Sequence, residues 1–295
     1  MNFAEFVRAQ RIQADRVAGV GGTSDGRGQT LAQWIAPLAL GTIEWLVYMA
    51  SIAPIIRPED EHGRRASLGY SASCFWAMAR ARSWLGRTSG WRLLVGYSQG
   101  AEAAGNAFTR HVCRDHDMTG VTLLLLADPR GWPTALKPWM SSSRVVRNVV
   151  RRFGVELNGY RDEMKAQGGR IYSVAILGDP ITAVESVLKN PFGALSGLIG
   201  FFKIHSKADH MDELAILCDY MYGDVHRVVL YETHPFTQVI PLCPEWFAEL
   251  IAPRTVPGEG PATLFRSRKE IVRQLERARR GNARQERVAA LLDAA

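Results

Sequence analysis

Cysteine is scarce in this chain of 295 residues: Cys74, Cys113, Cys218 and Cys243 stand far apart. No pair has the close spacing of a zinc knuckle or a redox Cys-x-x-Cys, which excludes a metal-stapled or dithiol chemistry built on such motifs. Each lies in an apolar or helical context that suits a free thiol as well as a disulfide. Long apolar runs are also lacking. The longest, Trp45 to Ile56, falls short of the ~20 residues that a membrane helix needs. The opening Met1-Asn2-Phe3-Ala4-Glu5 has neither a basic nor an apolar signal region, so a soluble product of the cytoplasm is expected. There is no internal repeat and no low-complexity segment.

What is present is enough hydrophobic residue (47%) for one large core, with or without an inserted cap. The net charge of +7 is partly localised: the stretch from Phe265 to Arg287 is rich in arginine and poor in acids. A basic amphipathic helix over 261–295, after a main domain of 1–260, suits contact with an anionic surface or solvated exposure. A nucleic-acid partner is not expected.

Along the chain, strand and helix alternate. Arg16 to Val20, Glu44 to Ala50, Trp91 to Val95, Val121 to Ala127 and Ile171 to Leu177 read as strands. Leu31 to Leu40, Ser67 to Leu85 and Ala101 to Cys113 read as helices. Continuous apolar strands alternating with helices predict an α/β fold with a mostly parallel, doubly wound sheet. Two regions break the rhythm. Pro133 to Gly169 reads as a polar surface excursion, and Ile181 to Tyr222 as a helical cap without a strand.

The chemistry centres on Gly96-Tyr97-Ser98-Gln99-Gly100. Gly-x-Ser-x-Gly between an apolar strand and a helix of small residues is the context of a nucleophile elbow. Ser98 is the candidate nucleophile, and the N–H of Gln99 an oxyanion donor. A hydroxyl needs a base, and the base an orienting acid, in the chain order Ser, acid, His. Asp179 ends a strand at the expected place; Asp128 ends the strand immediately after the nucleophile, which is early for the acid. For the histidine, His234 follows the strand Val228 to Tyr231, whereas His226 follows a helix expected over Met211 to Tyr222. His205 and His210 lie in a polar stretch that reads as solvated surface. The loop Gly21 to Gly26 has Ser24 where a dinucleotide fingerprint needs its third glycine, so it reads instead as an oxyanion loop, with the hydroxyl or N–H of Thr23, ahead of Ser24, as second donor.

Gly96-Tyr97-Ser98-Gln99-Gly100-Ala101 resembles the nucleophile motif of cutinases, of PE-PPE esterase domains and above all of lysin B, the esterase of phages that infect mycolic-acid bacteria. Gly22-Thr23, Ala127-Asp128-Pro129 and Gly178-Asp179 are similar to further lysin B turns, with Asp128 replacing an asparagine. The resemblance spans roughly Val17 to Leu250 and is strongest at the serine. It implies an α/β-hydrolase fold with a helical insertion at 181–222, no cofactor or metal, and a lipid-ester substrate. Its implied reaction is cleavage of the mycolic acid–arabinogalactan ester at the host envelope. The family's histidine, with a tyrosine close behind, maps onto His226 and Tyr231, which sets His226 ahead of His234.

Overall fold

A computed structural model describes residues 2–12, 14–38, 40–53, 55–59, 68–132, 135–142, 144–152, 154–161, 164–176, 179–182 and 214–232. Among them run strands β1 (Arg16–Val20), β2 (Ile43–Trp45), β3 (Arg92–Tyr97), β4 (Val121–Leu126), β5 (Arg170–Ile176), β6 (Leu214–Tyr222) and β7 (Val225–Glu232). The helices are α1 (Phe3–Ala9), α2 (Gln29–Ile35), α3 (Tyr70–Arg87), α4 (Gln99–Val112), α5 (Leu136–Ser142) and α6 (Arg144–Arg151).

The strands form one sheet in the order β2-β1-β3-β4-β5-β7-β6, parallel except for the antiparallel edge pair β6–β7. Buried side chains alternate between its faces. Val17, Leu93, Val95, Leu124 and Val174 pack against Phe3 and Phe6 of α1 and Leu31 and Trp34 of α2. Leu94, Leu123, Leu125 and Ile171 pack against Ala77 and Trp84 of α3 and Ala104 and Phe108 of α4. A sheet covered on both faces needs apolar residues at successive positions, and Val121-Thr122-Leu123-Leu124-Leu125-Leu126 is buried throughout. The result is an α/β fold with a mostly parallel sheet, as the alternating pattern predicts, and of the α/β-hydrolase type that the resemblance implies. Strand order reverses beside β1, and in such sheets ligands bind at the carboxyl ends of the strands at that crevice.

Several expectations change. The strand expected over Glu44 to Ala50 keeps ladder pairing only at Ile43–Trp45. Beyond it, Tyr48 N–H donates to the Gly26 carbonyl and Ser24 N–H to the Ala50 carbonyl, so this segment braces the loop after β1 instead. Pro133 to Gly169 is not merely surface: it contains α5 and α6 and buries Lys137 and Arg161. The end of the expected cap, Leu214 to Tyr222, is a strand and not a helix. Gly223 (φ +56°) and Asp224 make a two-residue turn that folds β6 back onto β7, with Tyr222 paired to Val225. Residues 183–213 of the cap and the basic tail over 261–295 lie outside the described residues. Cys74 and Cys113 are free thiols, and burial pushes the Cys74 thiol well up. Among the described residues no helix is long and apolar enough to cross a membrane.

Candidate active site

Strand β3 ends at Tyr97 and helix α4 begins at Gln99, leaving Ser98 alone to make the turn. Its backbone sits at φ +53° and ψ −119°, a region that costs an L-residue on the order of 1–3 kcal/mol. Both flanking glycines are required. A Cβ on Gly96 would stand 2.6 Å from the Cα of Ala101, and one on Gly100 would stand 2.1 Å from the carbonyl oxygen of Val20. The first turn of α4 is therefore pressed against the end of β1. Ser98 is 7% exposed, at the carboxyl edge of the sheet.

The loop after β1 lies directly beside it. A Cβ on Gly22 would meet the Tyr97 ring at 2.9 Å and the Ser98 Cβ at 3.2 Å. The Thr23 hydroxyl donates to Gln99 Oε1 (3.3 Å), which ties this loop to the elbow. Gln99 is fully buried, and its Nε2 donates to the Tyr70 carbonyl at 3.2 Å. Tyr48 closes the corner by donating to the Gly21 carbonyl at 2.7 Å. Asp25, in the same loop, accepts from the N–H groups of Thr30 and Leu31 and so anchors α2; burial raises its carboxyl above the usual value despite these bonds. The Thr23 and Gln99 side chains are thus joined to each other beside Ser98.

Asp179 is wholly buried three residues beyond the end of β5, and its Oδ1 accepts from Ile181 N–H at 2.8 Å. Its carboxylate is close enough to Tyr97 to push that phenol further up, after burial itself. The rival Asp128 is committed elsewhere. It pairs with Arg161 at 2.7 Å and caps Arg130 N–H, inside a buried network in which Lys137 and Tyr70 hold Glu102.

His226 requires a correction. It is the second residue of β7, paired with Tyr172 near the start of β5. Tyr97 is level with Leu126, Leu126 with Val174, and Val174 with Val228. His226 thus lies three residues below Ser98 and three strands away, about 10 Å along and about 14 Å across the sheet. Its ring packs on Tyr172 and Phe6, and it hydrogen-bonds Asp219 at 2.9 Å. The structure does not bring it to Ser98. β7 ends at Glu232, on the same edge as Ser98 and Asp179, and His234 follows two residues later, outside the described residues. The missed signal was the Gly223-Asp224 turn, which marks a hairpin and makes His226 a strand residue.

No group of three potential metal ligands gathers among the described residues. His205 and His210 lie outside them.

No protein-family model matches the chain, and no curated protein matches it. Among solved structures it is similar to a candidate YdeN-like hydrolase from Pectobacterium atrosepticum, at 14% identity and a TM-score of 0.33, over 78% of this chain and 84% of that one. That likeness is too loose to bear on activity.

Proposed function

We propose that the chain is a hydrolase that cleaves carboxylic esters through an acyl-Ser98 intermediate. The observation that carries this reading is the backbone of Ser98: a non-glycine residue held at φ +53°, ψ −119° between a strand and a helix, with a second loop packed on its Cβ. Strain of this kind persists where the surrounding structure over-determines it, and here it presents a hydroxyl at the binding edge of the sheet.

In the reaction, Ser98 Oγ attacks the ester carbonyl carbon while His234 accepts its proton. Asp179 accepts the other imidazole N–H and holds the tautomer. The N–H groups of Gln99 and Thr23 receive the oxyanion; losing one such donor typically costs about 3–4 kcal/mol of transition-state stabilisation. Collapse of the intermediate expels the alcohol, which takes the proton from His234. Water, deprotonated by the same histidine, then releases the acid. The resemblance at Gly96 to Ala101 directs the choice of substrate toward long-chain lipid esters, with the mycolic acid–arabinogalactan ester of a host envelope as the specific candidate.

The test is hydrolysis of p-nitrophenyl esters from acetate to palmitate by wild type and Ser98→Ala, together with covalent labelling by a fluorophosphonate. Activity and label on Ser98, both absent in the variant, are the expected result. A natively folded wild type that neither hydrolyses nor takes the label would end the proposal.

A further inference from the structure

Helix α6 has no role in the site just described, yet its composition is unusual. Arg144-Val145-Val146-Arg147-Asn148-Val149-Val150-Arg151, followed by Arg152, carries four arginines and no acid. None of the four has a carboxylate partner among the described residues. None of its residues is fully buried; Val146 and Val150 are half-buried, while Val145 is 74% and Val149 50% exposed. Two exposed valines one turn apart, beside arginines that pair with no carboxylate among the described residues, are the pattern of a helix lying in a lipid interface.

Its position gives that pattern a use. The excursion holding α5 and α6 is fastened at both ends to parts of the candidate site. At the start, Leu136 N–H donates to the carbonyl of Ile181, two residues from Asp179, and Lys137 pairs with Glu102 of α4. At the far end, Ser71 N–H donates to the Gly154 carbonyl, and Glu156 N–H to the Ser71 hydroxyl. Ser71 adjoins Tyr70, whose carbonyl holds Gln99. One turn further along α3 stands Phe75, 59% exposed.

We propose that α6 docks the protein on an anionic lipid surface and so brings the Ser98 edge to lipid esters held there. The occupant follows from charge: four guanidinium groups with no carboxylate partner among the described residues favour phosphate-bearing head groups, while Val145 and Val149 enter the acyl boundary. The advantage to Ser98 rests on the ester-hydrolase reading; the docking does not.

The experiment is co-sedimentation of the full chain with phosphatidylcholine vesicles, with and without phosphatidylglycerol, at low and high salt. It is run on wild type, Ser98→Ala, Arg144→Gln/Arg151→Gln and Val145→Ser/Val149→Ser. Wild type and Ser98→Ala should bind the anionic vesicles equally, and much less at high salt. Binding by Ser98→Ala reports docking whether or not the chain hydrolyses esters. The arginine pair should weaken binding on the order of thirty-fold, at about five-fold per arginine, and the valine pair should weaken it too. Undiminished binding by both pairs would assign the contact to the basic stretch after Phe265 and overturn the proposal, as would a wild type that binds no vesicles.

Discussion

Gly22 and Ser98 touch across the crevice between β1 and β3: a methyl group on Gly22 would stand 3.2 Å from the Ser98 Cβ and 2.9 Å from the Tyr97 ring. The Gly22→Ala protein should therefore fold with Ser98 or Thr23 displaced. A displacement near 1 Å costs about 10²-fold in rate, so kcat/KM on a short-chain ester should fall by that order with little change in the melting transition.

Ser98→Gly separates function from stability. Glycine adopts φ +53° without the steric cost that serine bears there. The variant should be inactive and yet more stable than Ser98→Ala, by about 1–2 kcal/mol. Urea unfolding of the two proteins measures the difference; equal midpoints would mean that the elbow stores no strain.

The elbow was legible in the sequence because its constraints are local. Gly96 and Gly100 stand where no side chain fits, and the apolar Leu93-Leu94-Val95 delivers them. The parallel sheet was legible for the same reason, in uninterrupted apolar runs such as Val121 to Leu126. The β6–β7 hairpin is not legible in its first strand, although Gly223-Asp224 marks its turn. Leu214-Ala215-Ile216-Leu217-Cys218 is a continuous apolar run, and such runs suit a strand or a buried helix equally. A helix ending at Tyr222 would put His226 where the family resemblance places its histidine, whereas a strand there makes His226 part of the sheet. The pairs Glu102–Lys137 and Asp128–Arg161 join residues more than thirty apart in the chain, and no local pattern announces such partners.

The two histidines should behave differently on substitution. His226→Phe, on the far side of β5 from the elbow, should retain ester hydrolysis to within a few-fold. His234→Ala should lose roughly 10³-fold or more in kcat, the scale set by removal of a triad member. The reverse pattern would contradict the strand register given above.

Lys137 and Glu102 are 3% and 2% exposed in their side chains and 2.6 Å apart. Lys137→Met would leave a buried carboxylate with Tyr70 as its remaining side-chain donor among the described residues, a loss of about 3–5 kcal/mol. In Glu102→Gln/Lys137→Met the charge is gone and Tyr70 keeps an acceptor, so most of the loss should be recovered. Denaturant titration of the single and double variants reads the coupling.

His111 predicts a pH dependence. Burial holds its imidazole below the usual value of 6.5, opposed by the hydrogen bond between its Nε2 and the Arg82 carbonyl. The unfolded chain thus takes up the proton at higher pH than the folded one. The stability linked to this group is full above pH 6.5 and is lost as pH falls through the folded value. His111→Gln should show a shallower loss of melting temperature on acidification than wild type.

Strand β6 has a further consequence through its neighbour. By pairing antiparallel along β7, whose other side runs parallel to β5, it turns the last strand before His234 from a border into an interior one. β7 is paired on both sides through Leu230, and Tyr231 and Glu232 stay paired to β6, so slow hydrogen exchange should extend toward its carboxyl end. The carboxyl end of β7 is thus a clamped post on the same edge of the sheet that carries Ser98.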